Sequence, residues 1–301
     1  MNASTSKYLS SLDEYRQLLD RYDTWLFDCD GVLWRGSTLV DGAKEFLQLL
    51  RSKNKNVIFV TNNASNSRAT YKIKFDKLGI EAHVDEIFGS AYAAAVYLSS
   101  VVKLPKDKKV FVIGQTGLEE ELRNEGVPFT GGTDTKDSTL EAFDPTSYEP
   151  DPTIGAVLCG FDGKINYTKL CKAFIHLNTN PSCLFLATNT DATYPDEGGR
   201  LCLGAGSISA PLRYALGREP LVLGKPSQIM MDCIKAKHKF DPKRTIMVGD
   251  RLNTDIQFGS EGGISTLLVL TGVTQVADLA PEAPPPAIPE YIANSIGDLI
   301  V

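Results

Sequence analysis

The sequence lacks any long apolar segment. None of its apolar runs approaches the roughly 18 consecutive residues that a membrane-spanning helix needs. Residues 1–7 are polar and do not contain the apolar core of a signal peptide. We therefore expect a cytoplasmic protein that could also enter the nucleus and that has no membrane partner.

A positive net charge is absent as well. The chain carries 31 Lys and Arg residues against 37 Asp and Glu residues, which gives a formal net charge of −6 at pH 7. Because nucleic acids are polyanions, an acidic protein is not expected to bind them in general. A small anionic substrate remains compatible if a metal ion and a lysine create a locally positive site.

Cysteine and histidine motifs for metal binding are also missing. The six cysteines include no Cys-x-x-Cys pair, and the three histidines are scattered without metal-ligand spacing. We expect reduced cysteines, as in most cytosolic proteins, and structural histidines. Cys29 lies between two aspartates, whose charge disfavours a thiolate, so we expect a space-filling residue; a redox switch is the alternative.

Residues 25–34 are the stretch around which the sequence is organised, and they read WLFDCDGVLW. An apolar strand leads directly into Asp28 and Asp30, and Gly31 follows. If the strand continues, both carboxylates share one face at its carboxyl end, where open α/β sheets bind ligands. Neighbouring like charges are costly unless a cation or a proton relieves them, so we predict a divalent metal here. The alternative is a polar turn in which both aspartates cap the backbone.

Apolar strands alternate with amphipathic helices in two blocks of the sequence. The predicted strands are 22–27, 56–60, 220–223, 244–248 and 265–270, and the predicted helices include 41–52, 67–78 and 227–237. Continuous apolar, β-branched runs suit a parallel sheet that is covered on both faces. The pattern predicts an α/β protein with a Rossmann-like, doubly wound parallel sheet.

A region of different character separates the two blocks. It has its own apolar strands at 110–113, 155–160 and 183–187, and a helix at 167–177. We predict a core domain formed by residues 1–103 and 220–301, with a second α/β domain, residues 104–219, inserted into it. One continuous large sheet is the alternative.

The proline-rich residues 281–289 predict a stiff surface connection or, alternatively, a ligand for a partner domain.

Polar residues follow four of the predicted parallel strands. They are Asp28 with Asp30, the cluster at 61–63, Lys225, and Asp250 with Asp255. A parallel sheet would bring all four groups to one edge. There they would supply the nucleophile, acid–base group, phosphate donors, cation and metal carboxylates that phosphoryl transfer requires. Each has an ordinary alternative when taken singly, because the 61–63 cluster could cap a helix and Lys225 could be a solvated loop lysine.

These strings resemble the four ordered motifs of the haloacid dehalogenase superfamily. The matching residues are Asp28-Cys29-Asp30-Gly31-Val32, Thr61-Asn62, Lys225-Pro226, and Gly249-Asp250 with Thr254-Asp255. The longer stretches 27–34, 60–63 and 248–255 are similar to the 4-nitrophenylphosphatase and phosphoglycolate phosphatase group, which includes pyridoxal phosphate phosphatase, and to its fungal members above all. The resemblance covers nearly the whole chain and implies a large cap domain between the second and third motifs.

The resemblance implies a phosphatase that works through an aspartyl-phosphate. In such an enzyme Asp28 is the nucleophile, and Asp30 is the general acid and then the general base. Mg²⁺ binds Asp28, the backbone carbonyl of Asp30 and Asp250. Asp255 orients Lys225 or a metal-bound water.

The resemblance also implies the phosphate contacts. The Thr61 hydroxyl, the Asn62 backbone and the neighbouring Asn63 hold phosphate oxygens, while Lys225 neutralises charge on the transferring phosphoryl group. Gly31 lets the backbone turn after Asp30 and offers its N–H to the phosphate.

The cap is expected to select the substrate. Residues 187–195 resemble a loop that reaches over the active site in these relatives, and Asn189, Asp191 and Tyr194 are the candidate contacts. A tyrosine there would disfavour large substrates, so we predict small phosphate monoesters such as phosphoglycolate, with 4-nitrophenyl phosphate in vitro. A phosphoprotein phosphatase, a pyridoxal phosphate phosphatase and a non-catalytic phosphate- or metal-binding module are the alternatives. Relatives often dimerise through the cap, so a homodimer is also predicted.

Overall fold

The computed structural model describes residues 6–137, 142–195, 200–279 and 287–300. Its strands are β1 (Lys7–Tyr8), β2 (Thr24–Phe27), β3 (Trp34–Arg35), β4 (Thr38–Leu39), β5 (Asn56–Thr61), β6 (Ile87–Gly89), β7 (Lys109–Ile113), β8 (Phe129–Gly131), β9 (Ile154–Cys159), β10 (Leu184–Ala187), β11 (Thr193–Pro195), β12 (Leu201–Leu203), β13 (Leu221–Val222), β14 (Thr245–Gly249), β15 (Ser265–Val269) and β16 (Tyr291–Ala293). Its α-helices are α1 (Leu12–Arg21), α2 (Ala43–Ser52), α3 (Arg68–Lys77), α4 (Ser90–Val96), α5 (Thr116–Asn124), α6 (Tyr167–Thr179), α7 (Ala205–Leu216), α8 (Gln228–Lys237) and α9 (Gln257–Glu261).

The described chain divides into two compact units. The first unit comprises Met1–Thr61, Tyr71–Phe88 and Lys225–Val301, and the second comprises Asn62–Thr70 and Gly89–Gly224. The predicted core domain differs from the first unit, because residues 62–70, 89–103 and 220–224 make their contacts within the second. Helix α4, for example, packs against α5.

A parallel sheet forms the centre of the first unit. Its strand order is β1-β16-β15-β14-β2-β5-β6, and β2 lies between β14 and β5. Trp25 pairs with Ile246 on one side and with Val57 on the other. Because strands β2 and β14 are buried along their whole length, as covered parallel strands require, their sequences are continuous apolar runs.

Aromatic side chains fill one side of this sheet. The ring of Trp25 lies 6.2 Å from that of Phe27, stacked on it, and 5.4 Å from that of Phe46, edge-on. Phe46 comes from α2, which begins after Gly42 and buries Ala43, Phe46, Leu47 and Leu50 at helical spacing. Helix α2 therefore covers one face of β2 and helps to hold in place the strand that precedes Asp28.

The second unit has its own parallel sheet, with strand order β13-β10-β9-β7-β8. Helices α6 and α7 pack against each other and contribute to an apolar core that includes Ala173, Leu177, Ile208 and Leu212. The α/β fold class predicted from the alternation of strands and helices is confirmed.

One predicted strand assignment is wrong. Residues 220–223 were expected to form a strand of the same sheet as residues 22–27, but β13 pairs with β10, Leu221 opposite Leu186, in the second unit. The sequence pattern marks an apolar extended run, and it does not specify which strand edge will accept its hydrogen bonds. Lys225 consequently does not follow a strand of the first unit's sheet.

Residues 281–286, which form most of the proline-rich stretch, lie outside the described residues. Among the helices of the described ranges, none has both the length and the apolar character needed to cross a membrane.

Removing the Phe46 ring should destabilise the first unit. We expect Phe46→Ala to lower the free energy of unfolding by about 3–5 kcal/mol, because it leaves a cavity against Trp25 and Phe27. Ile73→Ala is the control, since Ile73 is 54 % exposed and should change the same quantity by less than about 0.5 kcal/mol. Urea denaturation followed by tryptophan fluorescence measures both, and equal losses would contradict the proposed core.

Candidate active site

Asp28 lies at the carboxyl end of β2. The strand ends at Phe27, and the backbone N–H of Asp28 still donates to the Val248 carbonyl at 2.9 Å, which holds the residue between β2 and β14. Its carboxylate is buried, and Oδ1 accepts a hydrogen bond of 2.5 Å from Lys225 Nζ. Burial raises the pKa of this carboxyl well above its ordinary value, and the Lys225 ammonium opposes that rise.

Lys225 connects two carboxylates inside the first unit. Besides Asp28, its ammonium contacts Asp255 Oδ1 at 2.7 Å and donates to the Val60 carbonyl, near the end of β5, at 2.9 Å. Burial alone would lower the pKa of Lys225, but Asp255 and Asp28 outweigh that effect and raise it above its ordinary value. The lysine is therefore a fixed positive charge at this sheet edge.

Asp250 and Asp255 are placed by the turn that follows β14. Asp255 Oδ2 accepts hydrogen bonds from the backbone N–H groups of Asp250 and Arg251, both at 3.1 Å. The strand ends at Gly249, where a Cβ would lie 2.1 Å from the Cβ of Asp255, so only glycine permits this approach. The turn holds Asp255 beneath the backbone of Asp250 and against Lys225.

Three buried carboxylates come together at this point. Asp28, Asp250 and Asp255 each offer an oxygen, and these oxygens lie within 4.8 Å of one another. Burial, followed by the charge of Asp255, raises the pKa of Asp250 to about 7. Asp250 Oδ2 accepts a 2.6 Å hydrogen bond from the Val273 N–H, whereas its buried Oδ1 has no hydrogen-bond partner in the described part of the chain. This oxygen-only, charge-rich cluster fits a divalent cation.

Asp30 is not part of that cluster. The expectation that it shares a side with Asp28 required β2 to continue, and β2 ends before both residues. Asp30 Oδ1 instead accepts a 2.8 Å hydrogen bond from Trp34 Nε1 and lies 3.8 Å from Lys74 Nζ, and its side chain is 52 % exposed. The two aspartates of the motif thus have separate surroundings.

The predicted contact between the Gly31 N–H and phosphate is not supported. This N–H donates to the Trp34 carbonyl at 2.7 Å and so closes the loop after Asp28. Glycine is required there for another reason, since its φ is +93° and a Cβ would lie 2.6 Å from Asp250 Oδ2. Gly31 therefore makes room for a carboxylate of the acidic cluster.

Thr61 is the last residue of β5 and is buried. Its hydroxyl lies 3.3 Å from the Tyr71 hydroxyl, which comes from α3. Tyr71 was not among the predicted site residues. An aromatic residue on the helix that follows the Thr61 motif was the available signal, but its spacing is equally typical of a core position.

A loop after β15 was also missed. The N–H of Val273 donates to Asp250 Oδ2, and the N–H of Thr274 donates to the Asp250 carbonyl at 3.0 Å. Residues 271–274 read TGVT, a polar stretch at the end of a parallel strand, which is the same signal that identified the other four groups.

Comparison with known proteins establishes the family. A model described as haloacid dehalogenase-like hydrolase matches residues 25–128, and a second, HAD-hydrolase-like model matches residues 222–299. The sequence is 47 % identical over 296 residues to the 4-nitrophenylphosphatase of Schizosaccharomyces pombe, with 98 % of each chain covered. The chain belongs to the haloacid dehalogenase-like hydrolases.

Two further relatives agree with this assignment. The hydrolase is 45 % identical to phosphoglycolate phosphatase 2 of Arabidopsis thaliana, with 97 % of each chain covered. A crystal structure of glycerol phosphate phosphatase from Mycobacterium tuberculosis in complex with magnesium matches with a TM-score of 0.78 and 30 % identity, covering 94 % of this chain and 77 % of that one. The resemblance stated from the motifs is confirmed.

Three predicted residues of this hydrolase contact one another within the second unit. Asn189 Nδ2 donates to the Asn62 carbonyl at 2.7 Å, and Asn189 Oδ1 accepts from the Asp191 N–H at 3.1 Å. Asn62 Nδ2 approaches Asp191 Oδ2 at 3.5 Å. Asn189 is buried, and its side-chain N–H and C=O groups each form a hydrogen bond with the backbone. Its side chain therefore holds the backbone at Asn62 and at Asp191 in place.

The remaining two predicted residues have different surroundings. Asn63 Oδ1 accepts a 2.9 Å hydrogen bond from the Ser65 N–H, which caps the turn before α3. Tyr194, on β11, is 40 % exposed and packs edge-on against the Phe161 ring at 5.5 Å. Tyr194 thus has an exposed face, whereas the amide oxygen of Asn63 serves a local turn.

The buried charge of Asp250 should make metal-free protein less stable as the pH rises. Its carboxyl has a pKa of about 7 when folded and an ordinary value of about 4 when unfolded, so unfolding releases a proton between these values and stability falls through that range. We expect Asp250→Asn, which cannot ionise, to be the more stable protein by about 1 kcal/mol or more near pH 8 in chelator, with a smaller difference near pH 5. Thermal denaturation measures this, with the exposed Asp20→Asn as control. A difference that grows toward low pH would contradict the burial argument.

Proposed function

We propose that this hydrolase is a Mg²⁺-dependent phosphatase that cleaves small phosphate monoesters through an aspartyl-phosphate on Asp28. The observation that carries the proposal is the Asp28 carboxylate held at 2.5 Å from a buried lysine and grouped with two other buried carboxylates. A buried, cation-paired carboxylate at the end of a parallel strand suits attack on an anionic phosphorus centre. The phosphatase names of the relatives support the same reaction class.

The first step transfers the phosphoryl group to Asp28. A bond forms between an Asp28 carboxylate oxygen and phosphorus, and the bond from phosphorus to the alcohol oxygen breaks. Asp30 gives a proton to the departing oxygen, a role that typically contributes about 10²–10⁴-fold. Lys225 offsets negative charge on Asp28 and on the phosphoryl oxygens. In the second step water attacks phosphorus, Asp30 takes the water's proton, and Asp28 is released.

The acidic cluster is the proposed metal site. Asp28 and Asp250, with the backbone carbonyl of Asp30, would hold Mg²⁺, which when bound neutralises charge on the phosphoryl group. The unpartnered Asp250 Oδ1 supports this choice of ligand. Asp255 already contacts Lys225 and two backbone N–H groups, which supports a role in orienting Lys225. The magnesium in the mycobacterial glycerol phosphate phosphatase agrees with the proposed ion.

Asp28→Asn should abolish phosphate release while the protein stays folded. The amide keeps the shape of the carboxylate but cannot attack phosphorus, so we expect kcat to fall by more than about a thousandfold. Release of inorganic phosphate from 4-nitrophenyl phosphate measures the loss, and acid-quenched labelling with ³²P-phosphate ester tests for the covalent intermediate. The exposed Asp20→Asn variant is the control and should keep full activity. A labelled protein in the Asp28→Asn variant would exclude Asp28 as the nucleophile.

A substrate panel should place small phospho-acids above large phosphorylated molecules. We expect kcat/KM for phosphoglycolate to exceed that for a phosphoserine peptide and for pyridoxal phosphate by at least about tenfold, with activity lost on chelation of Mg²⁺ and restored on its return. Glycerol 3-phosphate belongs in the panel, because relatives from chicken and mouse are glycerol-3-phosphate phosphatases. Comparable values for the peptide would favour a phosphoprotein phosphatase, and no turnover of any ester would favour a binding module.

The cytoplasmic location and the homodimer stay predictions.

A further inference from the structure

Trp34 is the residue that contacts the Asp30 carboxylate most closely. Its indole Nε1 donates to Asp30 Oδ1 at 2.8 Å, and the ring itself is fully buried. The ring packs edge-on against Phe75 at 5.0 Å and lies nearly parallel to Tyr71 at 6.5 Å. An indole held on two sides presents its N–H in a fixed direction, so the Asp30 carboxylate accepts from a rigid donor.

The backbone of the loop restrains the same pair. The carbonyl of Trp34 accepts from the Gly31 N–H at 2.7 Å, and the N–H of Trp34 donates to the Cys29 carbonyl at 3.2 Å. These bonds tie residue 34 to residues on both sides of Asp30. The donor and the acceptor therefore belong to one closed loop, in which their separation can vary little.

Lys74 reinforces this arrangement from α3. Its ammonium lies 4.3 Å from the centre of the Trp34 ring and 3.8 Å from Asp30 Oδ1. A cation over an indole face is favourable, and the same cation attracts the carboxylate. Because the ion pair is partly exposed, its contribution is smaller than that of the buried indole.

Both contacts fall on the same oxygen of Asp30. Oδ1 accepts from Trp34 and faces Lys74, whereas Oδ2 has no hydrogen-bond partner among the residues that the structure describes. We propose that Trp34 is a positioning residue that fixes the Asp30 carboxyl through Oδ1, so that Oδ2 is the oxygen that gives and takes the proton. The proposal rests on the phosphatase function proposed above.

The indole also favours the charge that develops on Asp30. As the phosphorus–oxygen bond breaks, its electron pair goes to the alcohol oxygen, which takes the proton from Oδ2 and leaves Asp30 ionised. A hydrogen bond to an ionised acceptor is stronger than one to a neutral acceptor. The hydrogen bond from the Trp34 N–H to Asp30 is therefore stronger in the transition state than in the ground state. An interaction that strengthens in this way lowers the barrier and raises the rate.

The experiment compares leaving groups that do and do not need a proton. An aliphatic alkoxide, as from phosphoglycolate, must be protonated to leave, whereas 4-nitrophenolate can leave unprotonated. We expect Trp34→Phe, which removes the N–H and keeps an aromatic ring, to lower kcat/KM for phosphoglycolate at least about tenfold more than kcat/KM for 4-nitrophenyl phosphate. The ratio kcat/KM excludes the later hydrolysis of the phosphoenzyme, which is common to both substrates.

Two further variants keep the test decisive if Trp34→Phe folds poorly. Benzothienylalanine incorporated at position 34 retains the bicyclic shape without the N–H and should give the same selective loss. Lys74→Met should give a smaller selective loss of about threefold. Lys72→Met is the matched control on the same helix, since Lys72 pairs with Asp76 instead, and it should leave both substrates unaffected.

The outcomes separate this inference from the function on which it rests. Equal losses on both substrates, or no loss on either, would overturn the positioning role and leave a buried indole that merely satisfies its own N–H. A wild-type enzyme that hydrolyses neither substrate would instead contradict the proposed phosphatase function. A selective loss on phosphoglycolate in the shape-preserving variant would support the role of Trp34 directly.

Discussion

The interaction on which the site depends is the buried contact of the Lys225 ammonium with Asp28 and Asp255. Burying a carboxylate is costly unless a cation pairs with it, and removing one partner of such a group leaves the other uncompensated. Here Lys225 forms ion pairs with two carboxylates, and a third carboxylate, that of Asp250, lies beside them. With all three carboxylates ionised, the cluster would hold more buried negative charge than Lys225 can balance, which is the physical reason that it suits a divalent cation.

The two aspartates of the first motif differ because β2 ends at Phe27. Asp28 still bonds to β14 and remains buried, whereas Asp30 lies in a closed loop, half exposed, with Trp34 and Lys74 on one oxygen. A buried group paired with lysine suits a nucleophile, and a half-exposed carboxyl with one free oxygen suits proton transfer. Two residues of the same type acquire different chemistry from a single strand end.

Much of the fold could be predicted from the sequence, and each failure has a physical reason. Residues 57–60 and 246–248 are continuous apolar runs of the kind typical of a covered parallel strand, and they lie in β5 and β14. Residues 220–223 show the same pattern but pair with β10, since a two-residue strand carries too little information to select its neighbour. The TGVT loop shows the same strand-end signal as the other groups, but its contacts with Asp250 come from backbone N–H groups, which residue type does not reveal. Tyr71 was missed because its spacing is equally typical of a core position.

Residue types and their spacing along the chain were enough to predict the α/β class, the family and the identity of the polar residues that follow the strands. These properties depend on residue type and on spacing along the chain, which are local and periodic. Three features become visible only in the folded chain: Asp255 joins the acidic cluster, the Gly31 N–H donates to the Trp34 carbonyl, and Asp30 faces an indole and a lysine. Those outcomes depend on where strands end and on which distant groups can approach within a few ångströms, and neither is encoded in the spacing of residues.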